Sequence, residues 1–200
     1  MGHGRESATA KRAAKRRIAG YRTYPRPLFN IPIEQQRALK SWGSDNFKNI
    51  INAQMGGGSA EDKKHAESLE RLIGNNAYEH DIWRGLAMSE KEIKKLKVGG
   101  DLTTHNQRGV LSSWSKATGA PYEFATANAY SFGGKPVMMV MVGGTKHGVS
   151  IDKFVQITDP SRAFEKEVLV SGRSKLKVEA INHTKLAGMV DGYIIEVREK

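Results

Sequence analysis

The sequence contains no cysteine. This excludes disulfide bridges, a thiolate nucleophile and cysteine-ligated zinc, and it leaves the chain compatible with a reducing compartment. Long apolar runs are also missing: the longest, Val137 to Val142, falls far short of the roughly 20 residues a helix needs to cross a bilayer. No apolar core of a secretory signal follows the basic start. A soluble, unexported, cytoplasmic protein with no membrane partner is therefore expected. The six histidines, at positions 3, 65, 80, 105, 147 and 183, show no H-E-x-x-H or other tight ligand spacing, so no metal is expected. Neither a Walker sequence nor G-x-G-x-x-G occurs, and Gly56 to Gly58 and Gly143-Gly144 read as turns, not phosphate cradles. No G-x-S-x-G elbow surrounds any serine, which argues against a serine hydrolase.

What the chain has is an uneven positive charge. Of the net +11, residues 1 to 26 carry +7 and the other 174 residues only +4. Lys11, Arg12, Lys15, Arg16 and Arg17 lie at the centre of this arm. Such a segment suits salt-dependent contact with nucleic acid or a ribonucleoprotein; the competing reading is a solvated terminus. Ala8 to Ala19 favours helix but lacks the large apolar side chains needed to bury a face, so it is expected to be disordered until bound. Pro25 and Pro27 mark residues 20–32 as a linker. The expected organisation is an arm over residues 1–32 and one folded domain over residues 33–200, a length ample for a hydrophobic core.

Within that domain the first half reads as helical. Apolar spacing from Ile33 to Met55 predicts one helix, or two broken near Gly43. Ser59 with Asp62 forms a capping-box pattern for a helix reaching about Tyr78, and Ser89 with Glu92 starts a short one before Gly99-Gly100. After residue 80 the pattern turns to short strands, expected near Asp81 to Leu86, Gly109 to Ser115, Pro136 to Val142, Glu165 to Val170, Lys175 to Ile181 and Tyr193 to Arg198, with a helix near Gly119 to Tyr130. The class is α+β, with an N-terminal helical layer on a mainly antiparallel β core.

Three groups of residues stand out on the expected strands. Trp83-Arg84-Gly85 places a guanidinium in an apolar strand, able to bind phosphate oxygens in a bidentate way, beside a glycine that permits close backbone approach. Ser112-Ser113-Trp114-Ser115 puts Ser113 and Ser115 on one face, able to hold a ligand or orient a carboxylate. Glu165-Lys166-Glu167 places two acids on one strand face, about 7 Å apart at the backbone, where they either face solvent or hold a reactive cation. The turn-rich segment Thr158 to Phe164 precedes the acids.

In this order Arg84, Ser113-Trp114-Ser115 and Glu165-Lys166-Glu167 resemble the arginine, serine, glutamate class of mono-ADP-ribosyltransferases, over roughly residues 40 to 200. Phe124-Ala125, eleven residues past Ser113, belongs to the same resemblance. Trp114 departs from the threonine usual there, and Ser112 offers a competing alignment. The resemblance implies a split β-sandwich and NAD as substrate, with Arg84 and Gly85 at its phosphates and Ser113 and Ser115 beside Glu167. Glu167 would stabilise the oxocarbenium-like ribose, and Glu165 would act on the acceptor, a glutamate here going with arginine acceptors. Phe164 would stand in the acceptor-recognition loop, and Tyr130 to Gly134 would form a loop over the nicotinamide with Phe132 stacking on it; a simple turn is the other reading. In its small size and absence of an export signal the chain resembles transferases that bacteriophages deploy inside their hosts, which implies a protein carried in the virion or made in the host cytoplasm. The acceptor would be a host protein such as a ribosomal protein or RNA polymerase. Two alternatives remain: an NAD glycohydrolase with water as acceptor, and a nucleic-acid-binding module without enzymatic activity.

Overall fold

The computed structural model describes residues 31–102 and 110–200. The basic arm with Lys11, Arg12, Lys15, Arg16 and Arg17, most of the linker, and Gly109 at the start of one expected strand lie outside the described residues. The chain opens with three helices, α1 (Ile33–Trp42), α2 (Phe47–Gln54) and α3 (Ala60–Ile73). The first break falls at Gly43, whose N–H bonds the Leu39 carbonyl and closes α1. Ser59 and Asp62 form both bonds of the capping box that starts α3. This helix ends at Ile73, short of Tyr78, because Gly74 takes a positive φ of 51° and Asn76 donates to the free carbonyls of Leu72 and Ile73.

Strand β1 (Ile82–Met88) and the short helix α4 (Glu90–Lys95) follow, the latter capped reciprocally by Ser89 and Glu92. Then come β2 (Ser112–Ser115), α5 (Gly119–Phe132), β3 (Lys135–Met141), β4 (Gly148–Ser150), α6 (Asp152–Thr158), a 3-10 turn (Pro160–Glu165), β5 (Glu167–Val170), β6 (Leu176–Leu186) and β7 (Val190–Glu199). The sequence reading did not anticipate β4 or α6, which are only three and seven residues long. The sheet order is β4-β5-β2-β1-β3-β7-β6, antiparallel at every pairing except β3 with β7.

This single ladder behaves as a split sandwich. Only one register pair, Trp83 with Ser115, joins β1 to β2, so the sheet divides there. On one face of the β4-β5-β2 half, Val149 and Leu169 bury against Leu39, Ile50 and Leu69 of the helical layer. On the same face of the other half, α5 packs over β1 so closely that a Cβ on Gly85 would lie 1.8 Å from the Pro121 carbonyl oxygen. The opposite faces of the two halves share one core, in which Trp114, Val168 and Val170 meet Ile82, Met139, Val178 and Ile195. No helix among the described residues is long and apolar enough to cross a membrane.

Candidate active site

Glu167 is the first residue of β5, and only 1% of it is exposed. Its register partner is Ser115, which in turn faces Trp83, so these three side chains stand on one face of adjacent strands. Ser113 and Leu169 lie further along the same face. Ser113 donates a short hydrogen bond to Oε1 of Glu167. From the helical layer, Nε1 of Trp42, the last residue of α1, donates to the same oxygen at 2.8 Å. The Glu167 backbone is also fixed, since its carbonyl accepts the Ile151 N–H at 2.9 Å.

Two hydrogen bonds do not fully offset this degree of burial. Desolvation pushes the Glu167 carboxyl above the usual carboxylate range, although the Ser113 and Trp42 bonds and the charge of Arg162 pull the other way. Its second oxygen, Oε2, is buried without a hydrogen-bond partner; the nearest cation is Arg162 Nη2 at 3.5 Å. A buried carboxylate oxygen that accepts no hydrogen bond is costly to the fold, and the Arg162 charge offsets only part of that cost.

The structure corrects the expected strand geometry of the two acids. Glu165 ends the 3-10 turn, and Lys166 adopts the left-handed conformation (φ 46°, ψ 52°), so β5 begins only at Glu167. The acids meet through Arg162, not through a shared pleat. Nε and Nη2 of Arg162 donate to the two oxygens of Glu165 at 3.0 and 2.8 Å, and Nη1 donates to the Gly43 carbonyl. The Glu165 fork raises the Arg162 pKa further, against a smaller effect of burial. Phe164, beside Glu165 on this turn, is 52% exposed.

The two serine alignments separate geometrically. Ser113 reaches Glu167, whereas Ser112 accepts the indole N–H of Trp114 at 3.0 Å on the opposite face. Ser115 is buried and accepts the Ala117 N–H at 3.1 Å, bracing the turn into α5. Trp114 itself is a core residue.

Arg84 lies one residue from the pair that joins β1 to β2, with Met139 as its register partner. Alternation therefore roots it on the face opposite Glu167, among apolar side chains. Its Nη1 is buried with no hydrogen-bond partner, and burial alone pulls its pKa down to about 10, which leaves it cationic at neutral pH. The close approach at Gly85 is that of helix α5, which covers its face. The segment from Tyr130 is not the expected loop: α5 continues to Phe132 before Gly133 and Gly134 turn the chain. Phe132, the last residue of that helix, is 84% exposed. Phe124 is half-exposed on α5, while its neighbour Ala125 is buried against Met138.

Sequence reasoning missed Trp42 and Arg162. A buried indole N–H needs an acceptor, but nothing in the sequence names one 125 residues away. Among the described residues no group of three or more potential metal ligands occurs.

No family model matches the sequence, and no curated protein matches it. Solved structures do match its fold. Vis toxin, an ADP-ribosyltransferase from Vibrio splendidus, superposes with a TM-score of 0.63 at 12% identity, covering 100% of this chain and 88% of that one. The type III effector XopAI from Xanthomonas axonopodis pv. citri gives 0.60 at 13% identity, over 96% of this chain and 74% of that one. Exoenzyme S from Pseudomonas aeruginosa, solved with human 14-3-3 protein beta and carba-NAD, gives 0.55 at 12% identity, over 82% and 72%. The helical layer, the divided seven-stranded sheet and these superpositions together show that the chain has the α+β fold found in ADP-ribosyltransferases.

Proposed function

We propose that this protein is a mono-ADP-ribosyltransferase that moves ADP-ribose from NAD to arginine side chains of proteins. The observation that carries the reading is Glu167: a buried carboxylate held by Ser113 and Trp42, whose second oxygen accepts no hydrogen bond and stands 3.5 Å from Arg162, beside a second carboxylate that binds the same guanidinium. The partly buried guanidinium of Arg84, whose Nη1 is buried without a hydrogen-bond partner, suits the NAD pyrophosphate. Because Arg84 and Glu167 root on opposite faces, a substrate touching both straddles the opening between β1 and β2. The carba-NAD bound to Exoenzyme S and the agmatine bound to Vis, a guanidine, are consistent with this assignment.

The chemistry follows from charge. As the C–N bond from ribose C1′ to nicotinamide breaks, its electron pair leaves with neutral nicotinamide and positive charge develops on the ribose. The ionised Glu167 stabilises that charge. The acceptor guanidinium nitrogen then bonds to C1′ and its proton passes to Glu165. The +7 arm suits an acceptor associated with nucleic acid, such as a ribosomal protein or RNA polymerase in a bacterial host cytoplasm. Water as acceptor needs the same Arg84, Ser113 and Glu167, so Glu165 discriminates. With NAD and a bacterial lysate, mass spectrometry should find ADP-ribosylated arginines, and Glu165→Gln should remove them while leaving slow NAD hydrolysis. Equal loss of both activities would overturn the arginine assignment.

A further inference from the structure

Arg162 has no role in the reaction just described, yet it occupies the centre of the site. Its Nε and Nη2 bind both oxygens of Glu165 at 3.0 and 2.8 Å, and Nη2 stands 3.5 Å from Oε2 of Glu167. This is the two-point contact by which a carboxylate recognises arginine. While it stands, an incoming guanidinium cannot take the same fork.

A fixed strut would be expected to lie on a buried, well-packed element, and this one does not. None of the residues of the 3-10 turn that carries Arg162 is buried. The Arg162 side chain is 26% exposed, against 2% for that of Glu167. Its remaining nitrogen is held by one backbone carbonyl, that of Gly43. A short 3-10 segment with no buried residue belongs to the low-stability part of a fold, able to move more readily than the strand that follows it.

We propose that Arg162 is an internal stand-in for the acceptor: its guanidinium fills the subsite offered by Glu165, and an acceptor arginine enters by displacing it. The inference rests on the reading of Glu165 as the acceptor-side carboxylate. It implies selectivity by surface. A small free guanidine must compete with a tethered one, whereas a protein that binds the turn and draws it outward opens the subsite for its own arginine.

The test is calorimetric titration of the full-length protein with agmatine in the absence of NAD. Arg162→Ala should bind agmatine about tenfold more tightly than wild type, a ratio worth about 1.4 kcal/mol. Glu165→Gln added to Arg162→Ala should abolish the gain. Arg162→Lys, which keeps the charge but not the fork, should give a smaller gain and serves if Arg162→Ala melts without a cooperative transition. Unchanged or weaker binding in a folded variant, or a gain that survives Glu165→Gln, would overturn the proposal. Failure of the enzymatic reading would show separately, as absence of nicotinamide release by wild type, and would leave the calorimetric result intact.

Discussion

At the residue scale the site depends on the balance between burial of Glu167 and the hydrogen bonds that support its ionised form. Burial favours its neutral form, and the hydrogen bonds from Ser113 and Trp42 oppose that. Removing either donor should therefore raise the carboxyl pKa further. Ser113→Ala and Trp42→Phe are expected to move the acid limb of the pH profile of kcat/KM to higher pH, with Ser113→Ala the larger shift. A profile that falls in height without moving on the pH axis would mean that these side chains do not tune Glu167. Ser113 was readable from the sequence because it sits in a strand pattern with an identifiable serine motif. Trp42 was not, because an indole at the end of an amphipathic helix reads as core until its acceptor is placed opposite it. Arg162 was hidden for a related reason: its partners are a carboxylate three residues on and a carbonyl 119 residues back.

At the element scale, the helices and most strands followed from local signals. The two capping boxes and the helix break at Gly43 are interactions between near neighbours, so the sequence carries them in full. The strand expected over Glu165 to Val170 was two residues too long, because alternation does not reveal a left-handed residue such as Lys166. That turn lifts Glu165 off the sheet and gives it to Arg162. Gly85 shows the converse case, in which a glycine in a strand does mark a close approach, but one made by helix α5. Gly85→Ala would drive its Cβ against the Pro121 carbonyl at 1.8 Å. It should cost about 3 kcal/mol or more of stability, measured as a lower urea midpoint at unchanged slope. A variant as stable as wild type would contradict the packing of α5 on β1.

At the scale of the whole molecule, the C-terminal strand is tied back to the turn after β3 by Glu199. Burial pushes this carboxyl up. Hydrogen bonds from His147, the Lys146 N–H and Thr145 outweigh burial and hold it below its ordinary value. A depressed folded pKa means that the contribution is present above the unfolded value of about 4.5 and lost as pH falls through the folded one. Glu199→Gln should cost about 1 to 3 kcal/mol at neutral pH, and the difference from wild type should close below the folded pKa. A gap independent of pH would assign the loss to packing. Glu167 has the opposite sign. Its folded pKa is raised, so the unfolded chain ionises first as pH rises past about 4.5, and the full cost of the buried charge stands above the folded pKa. Above that folded pKa, Glu167→Gln should accordingly melt a few degrees higher than wild type.

That variant also gives the most direct test of the central claim, that Glu167 is the residue at which NAD is broken. Release of nicotinamide from NAD should be measurable for wild type and fall about 10²- to 10³-fold in Glu167→Gln, in a protein whose melting temperature is unchanged or raised. Undiminished release by that folded variant, or none from wild type, would contradict the account.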